Sequence, residues 1–469
     1  MGRFRAGRWM IAAVLLATAG GSGIMLTQGW FRAGTGKFAA DPLEVALIVS
    51  GDTAGWITPC GCTSNQSGGL LRRGTVVAAA RKKGDVILLD AGGAPGGTSP
   101  YDREKFAAIL RGEREMGVAA HNLGGPEAAL GADALQKLVE ELQVPFVSCN
   151  LFREDGTPVT QALRIVRGGG KTFAVVGVLS PRYKRSGLQI RDPRDAILEA
   201  VRNATEKFDR LIVLAYLPEA ELRQLAAALP EADIVIGGPT GQSLPPTPVG
   251  ERLLASATNK GKFLVWLSPG KNPTGNEVWA GKIIELNTDF ADDPGQKQNV
   301  DRFYARLTDR DYLPSETSFA PSLPADLPSG YRIAGFATCA ACHKEETAAW
   351  EKSAHAHAWT TLVTKKSHID AECQRCHTTG YGVPGGFQSV RRTPHPTGVS
   401  CESCHGPSAA HVADPSQRTP FPAREQCGRC HDHENSPRFD YDGYWSKIAH
   451  GKQTGGKKSL PDKPRENKS

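Results

Sequence analysis

Four copies of the pattern Cys-x-x-Cys-His lie between residues 339 and 431: Cys339-Cys342-His343, Cys373-Cys376-His377, Cys401-Cys404-His405 and Cys427-Cys430-His431. Two thiols at this spacing can add across the two vinyl groups of a haem while the adjacent imidazole reaches the iron from one side. The copies take eight of the eleven cysteines and leave no other cysteine in the segment. A zinc ribbon also pairs Cys-x-x-Cys units, but tetrahedral zinc does not ask for a histidine directly after every second cysteine. The spacing therefore predicts four covalently bound c-type haems, each with its motif histidine as proximal iron ligand.

Each iron has a second axial position. Seven histidines outside the motifs are candidates for it: His355, His357, His368, His395, His411, His433 and His450. The sequence predicts a helix over Lys344–Trp359, on which His355 and His357 point about 200° apart, so only one of them meets a haem. His433 stands two residues from His431 and can hardly wrap to the far side of the same haem. Residues 331–452 offer about 30 residues per haem, too few for an independent apolar core. The porphyrins must supply most of that interior, and such close packing suits electron transfer.

Ahead of this segment, from Leu43 to about residue 290, apolar runs alternate with helix-length stretches. Strands are predicted at Val45–Val49, Val86–Leu89, Val118–Ala120, Pro145–Val147, Phe173–Val178, Leu211–Ala215, Ile234–Ile236, Phe263–Leu267 and Ile283–Leu286. Helices are predicted at Leu70–Lys82, Arg103–Met116, Pro126–Leu142, Arg194–Phe208 and Glu219–Leu229. Continuous apolar strands separated by helices argue for a buried, mainly parallel sheet of the α/β class. Residues 291–330, rich in Pro and Ser, read as an extended connector, with a short helix-like piece at Val300–Leu307.

The ends of these strands resemble the calcineurin-like metallophosphoesterase fold, in particular its 5'-nucleotidase type. The resemblance lies in Ser50-Gly51-Asp52, Leu88-Leu89-Asp90-Ala91-Gly92, Asn122 to Glu127, Ser148-Cys149-Asn150, Leu214-Ala215-Tyr216 and Ile236 to Thr240. It implies an α/β sandwich whose strand edges, in such enzymes, hold two metal ions on Asp, Asn and His side chains. Here Asp-x-His becomes Asp52-Thr53-Ala54 and Gly-Asp becomes Gly92-Gly93. Gly-Asn-His-Glu becomes Gly124-Gly125-Pro126-Glu127, a later His becomes Tyr216, and Gly-His-Thr-His becomes Gly238-Pro239-Thr240-Gly241. With only Asp52 left at the matched positions, phosphoesterase chemistry is not expected.

The C-terminal segment resembles the cytochrome c-554 group of tetrahaem electron carriers. The likeness rests on Thr338 to His343, Trp350, Ser353-Ala354-His355-Ala356, and Val399 to Pro407 with His411 following. It implies distal iron ligation by His355 and His411, and similarly by His450 in Trp445-Ser446-Lys447-Ile448-Ala449-His450. The fourth distal place is left to His368 or His395, or to an iron with no second protein ligand. Bis-histidine ligation suits electron transfer, whereas an open iron suits binding or reducing a small molecule.

Three cysteines lie outside the haem motifs: Cys60 and Cys62, in Pro59-Cys60-Gly61-Cys62, and Cys149. On the resembled fold all three can gather at one sheet edge. They read as a structural disulfide with one thiol spare, as a soft-metal or redox thiol site, or as inert thiols. Arg72 and Arg73, opening the next helix, would favour a thiolate or an anion there. His121 reads as a structural histidine.

Arg3, Arg5 and Arg8 precede an apolar run from Trp9 to Phe31, long enough at about 34 Å to span a bilayer. Residues 1–36 are therefore expected to export the chain, as a cleaved signal peptide or as a membrane anchor. Either placement is periplasmic or otherwise extracytoplasmic, where c-type haem is attached. The net charge of +7 is partly local to a basic tail, residues 453–469, expected to be solvated. Nothing in the sequence supports nucleic-acid binding. The whole reads as an electron-transferring cytochrome that meets redox partner proteins, or as an oxidoreductase acting on a small nitrogen or sulfur compound.

Overall fold

The computed structural model describes residues 44–59, 66–328, 330–393, 398–418 and 422–450. The expected export segment, Cys60, Cys62, His395 and the basic tail lie outside the described residues. In order, the first part of the chain forms β1 (Val45–Ser50), α1 (Leu70–Arg81), β2 (Asp85–Asp90), α2 (Pro100–Glu115), β3 (Val118–Asn122), α3 (Gly125–Ala128), α4 (Ala132–Leu142), β4 (Phe146–Val147), β5 (Leu151–Arg153), β6 (Leu163–Gly168) and β7 (Lys171–Leu179). It continues with β8 (Leu188–Ile190), α5 (Pro193–Arg202), β9 (Arg210–Tyr216), α6 (Glu219–Ala228), β10 (Ile234–Gly238), β11 (Leu244–Val249), β12 (Arg252–Ser256), β13 (Phe263–Lys271), β14 (Glu277–Glu285) and α7 (Pro294–Arg310).

Two six-stranded sheets result, in the orders β14-β13-β1-β2-β3-β4 and β11-β12-β10-β9-β7-β6, with β5 and β8 as a separate pair. β1 runs parallel to β2, β2 to β3, and β9 to both β7 and β10, while the outer strands β14, β13, β11 and β6 pair antiparallel. The period-two alternation of strand side chains builds the layers. Val45, Leu47 and Val49 face Phe173, Val175, Ile212 and Leu214 between the sheets. The alternate residues Ala174, Val176, Leu211 and Val213 face Ile197, Leu222 and Leu225 of α5 and α6. With both faces covered, the central strands are apolar throughout.

The departures from expectation have local causes. α2 starts at Pro100 because Ser99 caps it in a capping box with Asp102 and Pro100 takes the first position. The helix expected over Pro126–Leu142 breaks at Gly131, whose φ of +83° no helix accommodates. β11 contains three prolines and was not legible as a strand; it sits at the sheet's edge, where a missing amide hydrogen is tolerated. The first half of the expected connector is the 17-residue helix α7, capped by Asp293 and packed on α1 and α2 through buried Val300, Phe303 and Leu307. Asp293-Pro294 is an N-cap followed by a first-turn proline, a helix start that resembles a linker in composition.

The C-terminal part is a string of short helices: α8 (Phe336–Cys342), α9 (Lys344–Glu351), α10 (Ala358–Thr364), α11 (Ala371–His377), α12 (Cys401–His405), α13 (Ala409–Ala413), α14 (Ala423–Gly428) and α15 (Tyr441–Trp445). The helix expected over Lys344–Trp359 is interrupted before His357, where the His355 carbonyl turns to accept the Val399 and Ala358 amides. Buried apolar residues among the described residues here are Ile333, Ala358, Leu362, Ala371, Tyr381 and Phe387, far too few to hold eight helices together. Among the described residues no helix is long and apolar enough to cross a membrane.

Candidate functional site

The strand ends of the first sheet converge on a closed edge. The turns after β1 and β2 are zipped by backbone: Asp52 and Ala54 amides donate to the Gly92 and Gly93 carbonyls at 2.7 and 2.8 Å. Asp52 adopts φ +50° and its carboxylate accepts from the Thr258 hydroxyl at 2.6 Å and the Asn259 amide at 3.2 Å. Burial pushes the Asp52 carboxyl up from its usual range. A Cβ placed on Gly93 would lie 2.6 Å from the Tyr216 ring, on Gly124 2.8 Å from it, and on Gly125 2.5 Å from Tyr183. Those two rings contact each other at 5.2 Å and fill the space that side-chain ligands at these positions would need. The cleft beside Asp52, Ala91, Tyr216 and Gly238 has no room for a water molecule. A pair of hydrolytic metal ions does not fit this donor set.

Behind the edge lies a buried charge cluster that the sequence did not announce. Arg73 is 1% exposed and donates to Thr53 Oγ1 at 2.9 Å and Ser50 Oγ at 3.2 Å. Its guanidinium lies 3.8 Å from Asp90 and 3.6 Å from Glu113. His121, fully buried, sets Nδ1 2.7 Å from Glu113 and Nε2 3.3 Å from Glu127. Glu127 also accepts from the Gly93, Ala94 and Gly124 amides. Burial alone would pull the imidazole down, but Glu113 and then Asp90 outweigh it and hold His121 well above its ordinary value. Asp90, Glu113 and His121 bring ligand-type atoms within 4.8 Å of one another, and the Arg73 guanidinium stands beside both carboxylates as a fixed cation. Arg72 donates to the Leu286 carbonyl at 3.0 Å, while the Nε of both arginines is buried without a hydrogen-bond partner among the described residues. In the sequence Glu113 reads as one more surface charge of a helix.

Cys149 packs in the apolar layer beneath α5, lining a cavity of about 400 Å³ with Ala196, Ala200 and Glu199. Burial pushes its thiol up to about 12, which keeps it unreactive.

In the C-terminal part each Cys-x-x-Cys-His motif forms or ends a short helix, which presents both thiols and the imidazole on neighbouring turns. No disulfide joins the described cysteines. Thiols of different motifs meet: Cys339 with Cys401, Cys376 with Cys430, while Cys404 faces Cys427. The motifs thus follow one another in space in the order first, third, fourth, second.

Three non-motif histidines stand opposite motif histidines. His411 faces His343 at 6.1 Å between ring centres, His355 faces His431 at 6.1 Å, and His450 faces His405 at 6.2 Å. Two imidazoles sharing one iron each approach it to about 2 Å, which sets their ring centres roughly 6 Å apart. The pairs therefore fit a haem iron between them. His411, His450 and His377 donate from Nδ1 to the carbonyls of Gln417, Ile448 and Ala358 at 2.8 to 2.9 Å, which leaves Nε2 for a metal. Burial lowers His355, His405 and His431, favouring the neutral, ligating form. Among the described residues no second imidazole faces His377. His368 packs edge-on against Trp359 at 5.8 Å, and its carbonyl accepts from Gln374 of the second motif helix.

The C-terminal segment matches the family described as cytochrome c554 and c-prime over residues 338–406. Cytochrome c-554 of Nitrosomonas europaea is 36% identical over 101 residues, 18% of this chain. A 5'-nucleotidase of Vibrio vulnificus is 25% identical over 231 residues, 45% of this chain. The chain spans only 41% and 39% of the lengths of these two curated relatives. Among solved structures, a 5'-nucleotidase precursor from Thermus thermophilus aligns with TM-score 0.50 and 21% identity over 56% of this chain and 59% of that one. The sulfate thiohydrolase SoxB of the same organism aligns with TM-score 0.51 and 18% identity over 59% of this chain and 63% of that one. At those identities the structural likeness is one of fold. The chain thus joins a metallophosphoesterase-like α/β module to a C-terminal c-type cytochrome segment similar to the cytochrome c554 family.

Proposed function

We propose that this chain is an exported, periplasmic tetrahaem c-type cytochrome that relays electrons between redox partner proteins, built on a phosphoesterase-like module that does not hydrolyse phosphate esters. The observation that carries this reading is the set of three imidazole pairs at 6.1 to 6.2 Å. His343 with His411, His405 with His450, and His431 with His355 would hold three irons from both sides. Haem supplies the one-electron chemistry; the chain orients His377, His411 and His450 through their Nδ1 hydrogen bonds, favours the neutral form of His355, His405 and His431 by burial, and holds the four attachment motifs in contact. The Tyr183 and Tyr216 rings and the built-in Arg73 and His121 cations support the absence of hydrolysis.

A second reading is an open iron at His377, which faces no imidazole among the described residues, that binds or reduces a small nitrogen or sulfur compound; distal ligation there by His368 or His395 would leave the carrier reading. Cys60 and Cys62 remain candidate redox or soft-metal thiols of the same system. Described residues that flank them in sequence reach toward the cytochrome segment. Thr58 bonds the Tyr304 hydroxyl, Tyr304 lies within electrostatic reach of Cys373, and Gly68 packs on Gly261 and Lys262, whose ammonium pairs with Glu434 at 3.4 Å.

Low-temperature electron paramagnetic resonance on the fully oxidised protein, with haem counted on the same sample, tests both readings. Four haems with three low-spin signals and one high-spin signal that shifts on adding a small ligand place an open iron at His377. Four low-spin haems leave a pure carrier, and fewer than four haems refute the tetrahaem assignment. Nucleotide hydrolysis at enzymatic rates would refute the assignment of the α/β module.

A further inference from the structure

Helix α2 of the α/β module reaches across to the second haem motif. Tyr101 and Lys105, four residues apart, share one face of that helix. The Tyr101 hydroxyl donates to Asp370 Oδ1, and the Lys105 ammonium pairs with Glu372. Asp370 is the N-cap of α11, and the same Oδ1 accepts the Glu372 amide at 3.0 Å. Cys373, Cys376 and His377 follow within two turns, and Cys373 lies within electrostatic reach of both Tyr101 and Lys105. Tyr101 is wholly buried, and Lys105 and Asp370 are 6% exposed each. Burial alone would pull the ammonium down, but Glu372 and Asp370 outweigh it, so the lysine stays charged.

Aromatic packing closes the contact. Tyr101 meets Tyr312 and Phe319 edge-on at 6.0 and 5.8 Å, and Arg375 of α11 lies over Phe319 at 4.9 Å. The third motif helix is tied differently: Glu402 bonds the amides of Ala334, Gly335 and Ser408, all within the C-terminal part. The fourth motif does touch the α/β module, through Glu434 with Lys260 and Lys262, but those side chains are 22 to 33% exposed. Among the described residues, Lys105 is the one nearly fully buried cation of the α/β module placed against a haem-attachment helix.

We propose that Lys105 and Tyr101 are positioning residues through which the α/β module fixes the helix bearing Cys373 and His377 and sets the reduction potential of the haem attached there. Reduction adds one negative charge at the iron, so a nearby buried cation stabilises the reduced form and a nearby carboxylate opposes it. Low exposure shields the Lys105 charge from salt, whereas Glu372, 26% exposed, is screened more. This rests on the reading that Cys373, Cys376 and His377 carry a haem.

The test uses the full-length, haem-loaded protein and its Lys105→Met, Glu372→Gln and Tyr101→Phe variants. Haem is counted per chain, spin state is read by electron paramagnetic resonance, and potentials are read by spectroelectrochemical titration. For a unit charge ~12 Å from the iron behind an effective dielectric of ~20, the reduction equilibrium moves about tenfold, which is 59 mV for one electron. Lys105→Met is expected to lower, and Glu372→Gln to raise, the potential of one haem most, with smaller shifts of the same sign at the haems next to it. Tyr101→Phe, which changes no charge, moves that haem less than Lys105→Met does. Shifts of the same sign in the two charge variants, equal shifts at all four haems, or no shift would overturn the proposal. If Lys105→Met fails to assemble, Glu372→Gln decides alone, because Glu372 is partly exposed and the glutamine carbonyl can still accept from Lys105. A wild-type count below four haems, with the second motif unmodified by mass, would instead refute the attachment reading itself.

Discussion

Replacing Arg73 by Met removes the guanidinium from a cluster in which every charged side chain is at most 1% exposed. Asp90 keeps the Gly92 amide and the Ser50 hydroxyl, at 2.8 and 2.6 Å. Glu113 keeps only His121, since its other oxygen has no hydrogen-bond partner and depends on the guanidinium 3.6 Å away. Breaking a buried ion pair from one side costs about 3–5 kcal/mol, because the abandoned charge stays out of water. Glu113 can limit that cost by taking a proton, since burial already pushes its carboxyl up. The penalty should therefore be greater at pH 8 than at pH 5.5. Adding Glu113→Gln should recover about 1–3 kcal/mol of the loss at pH 8 and little at pH 5.5. Urea unfolding of the haem-loaded protein, followed by far-ultraviolet circular dichroism at both pH values, reads these differences. A loss under about 1 kcal/mol for Arg73→Met, or one equal at both pH values, would refute the reading of Arg73 as the cluster's fixed cation.

His411→Ala, His450→Ala and His355→Ala should each convert one low-spin haem to high-spin without loss of covalent haem, whereas His368→Ala should leave spin states unchanged; electron paramagnetic resonance reads both. Gly93→Asp should destabilise the α/β module by about 1–3 kcal/mol or more, because the new Cβ meets the Tyr216 ring at 2.6 Å and φ is +84°, and it should bring no phosphatase activity. His121 is raised in the folded chain, so its stabilisation is complete below about 6.5, the unfolded value, and is lost as pH rises through the folded value. His121→Gln should accordingly flatten the fall in stability between neutral and alkaline pH, measured as thermal midpoint against pH.

Much of the scaffold was legible because strand periodicity and buried apolar runs are local signals. Val45–Val49 and Leu211–Ala215 read as strands from their residues alone and fall within β1 and β9. The haem motifs were legible because attachment chemistry fixes spacing along the chain. What escaped was set by distance in space. Helix α7 was hidden by a proline that starts it, and β11 by three prolines that only an edge position tolerates. Nothing at Glu113, Arg73 or His121 announced that three separate elements would bury these charges together. The break before His357 was likewise invisible, because it answers to Val399 on another segment.

The two halves of the molecule are linked by what each lacks. Among its described residues the cytochrome segment contributes six buried apolar residues of its own, too few to stand without haem or a wall. The α/β module offers that wall through α2 and α7. Asp311, the C-cap of α7, accepts the Ser389 hydroxyl at 2.6 Å and the Val390 amide at 3.1 Å, so both helices hold the chain around the second motif. A hydrolytic module needs an open, hydrated edge with mobile access, whereas a wall gains from rigidity. Tyr216 and Tyr183 packed against Gly93 and Gly125 close the edge, and the buried Arg73 guanidinium gives it a fixed positive charge. On the proposed reading, the tyrosine packing that leaves no space for metal-ligating side chains at this edge also stiffens the module that the cytochrome segment leans on.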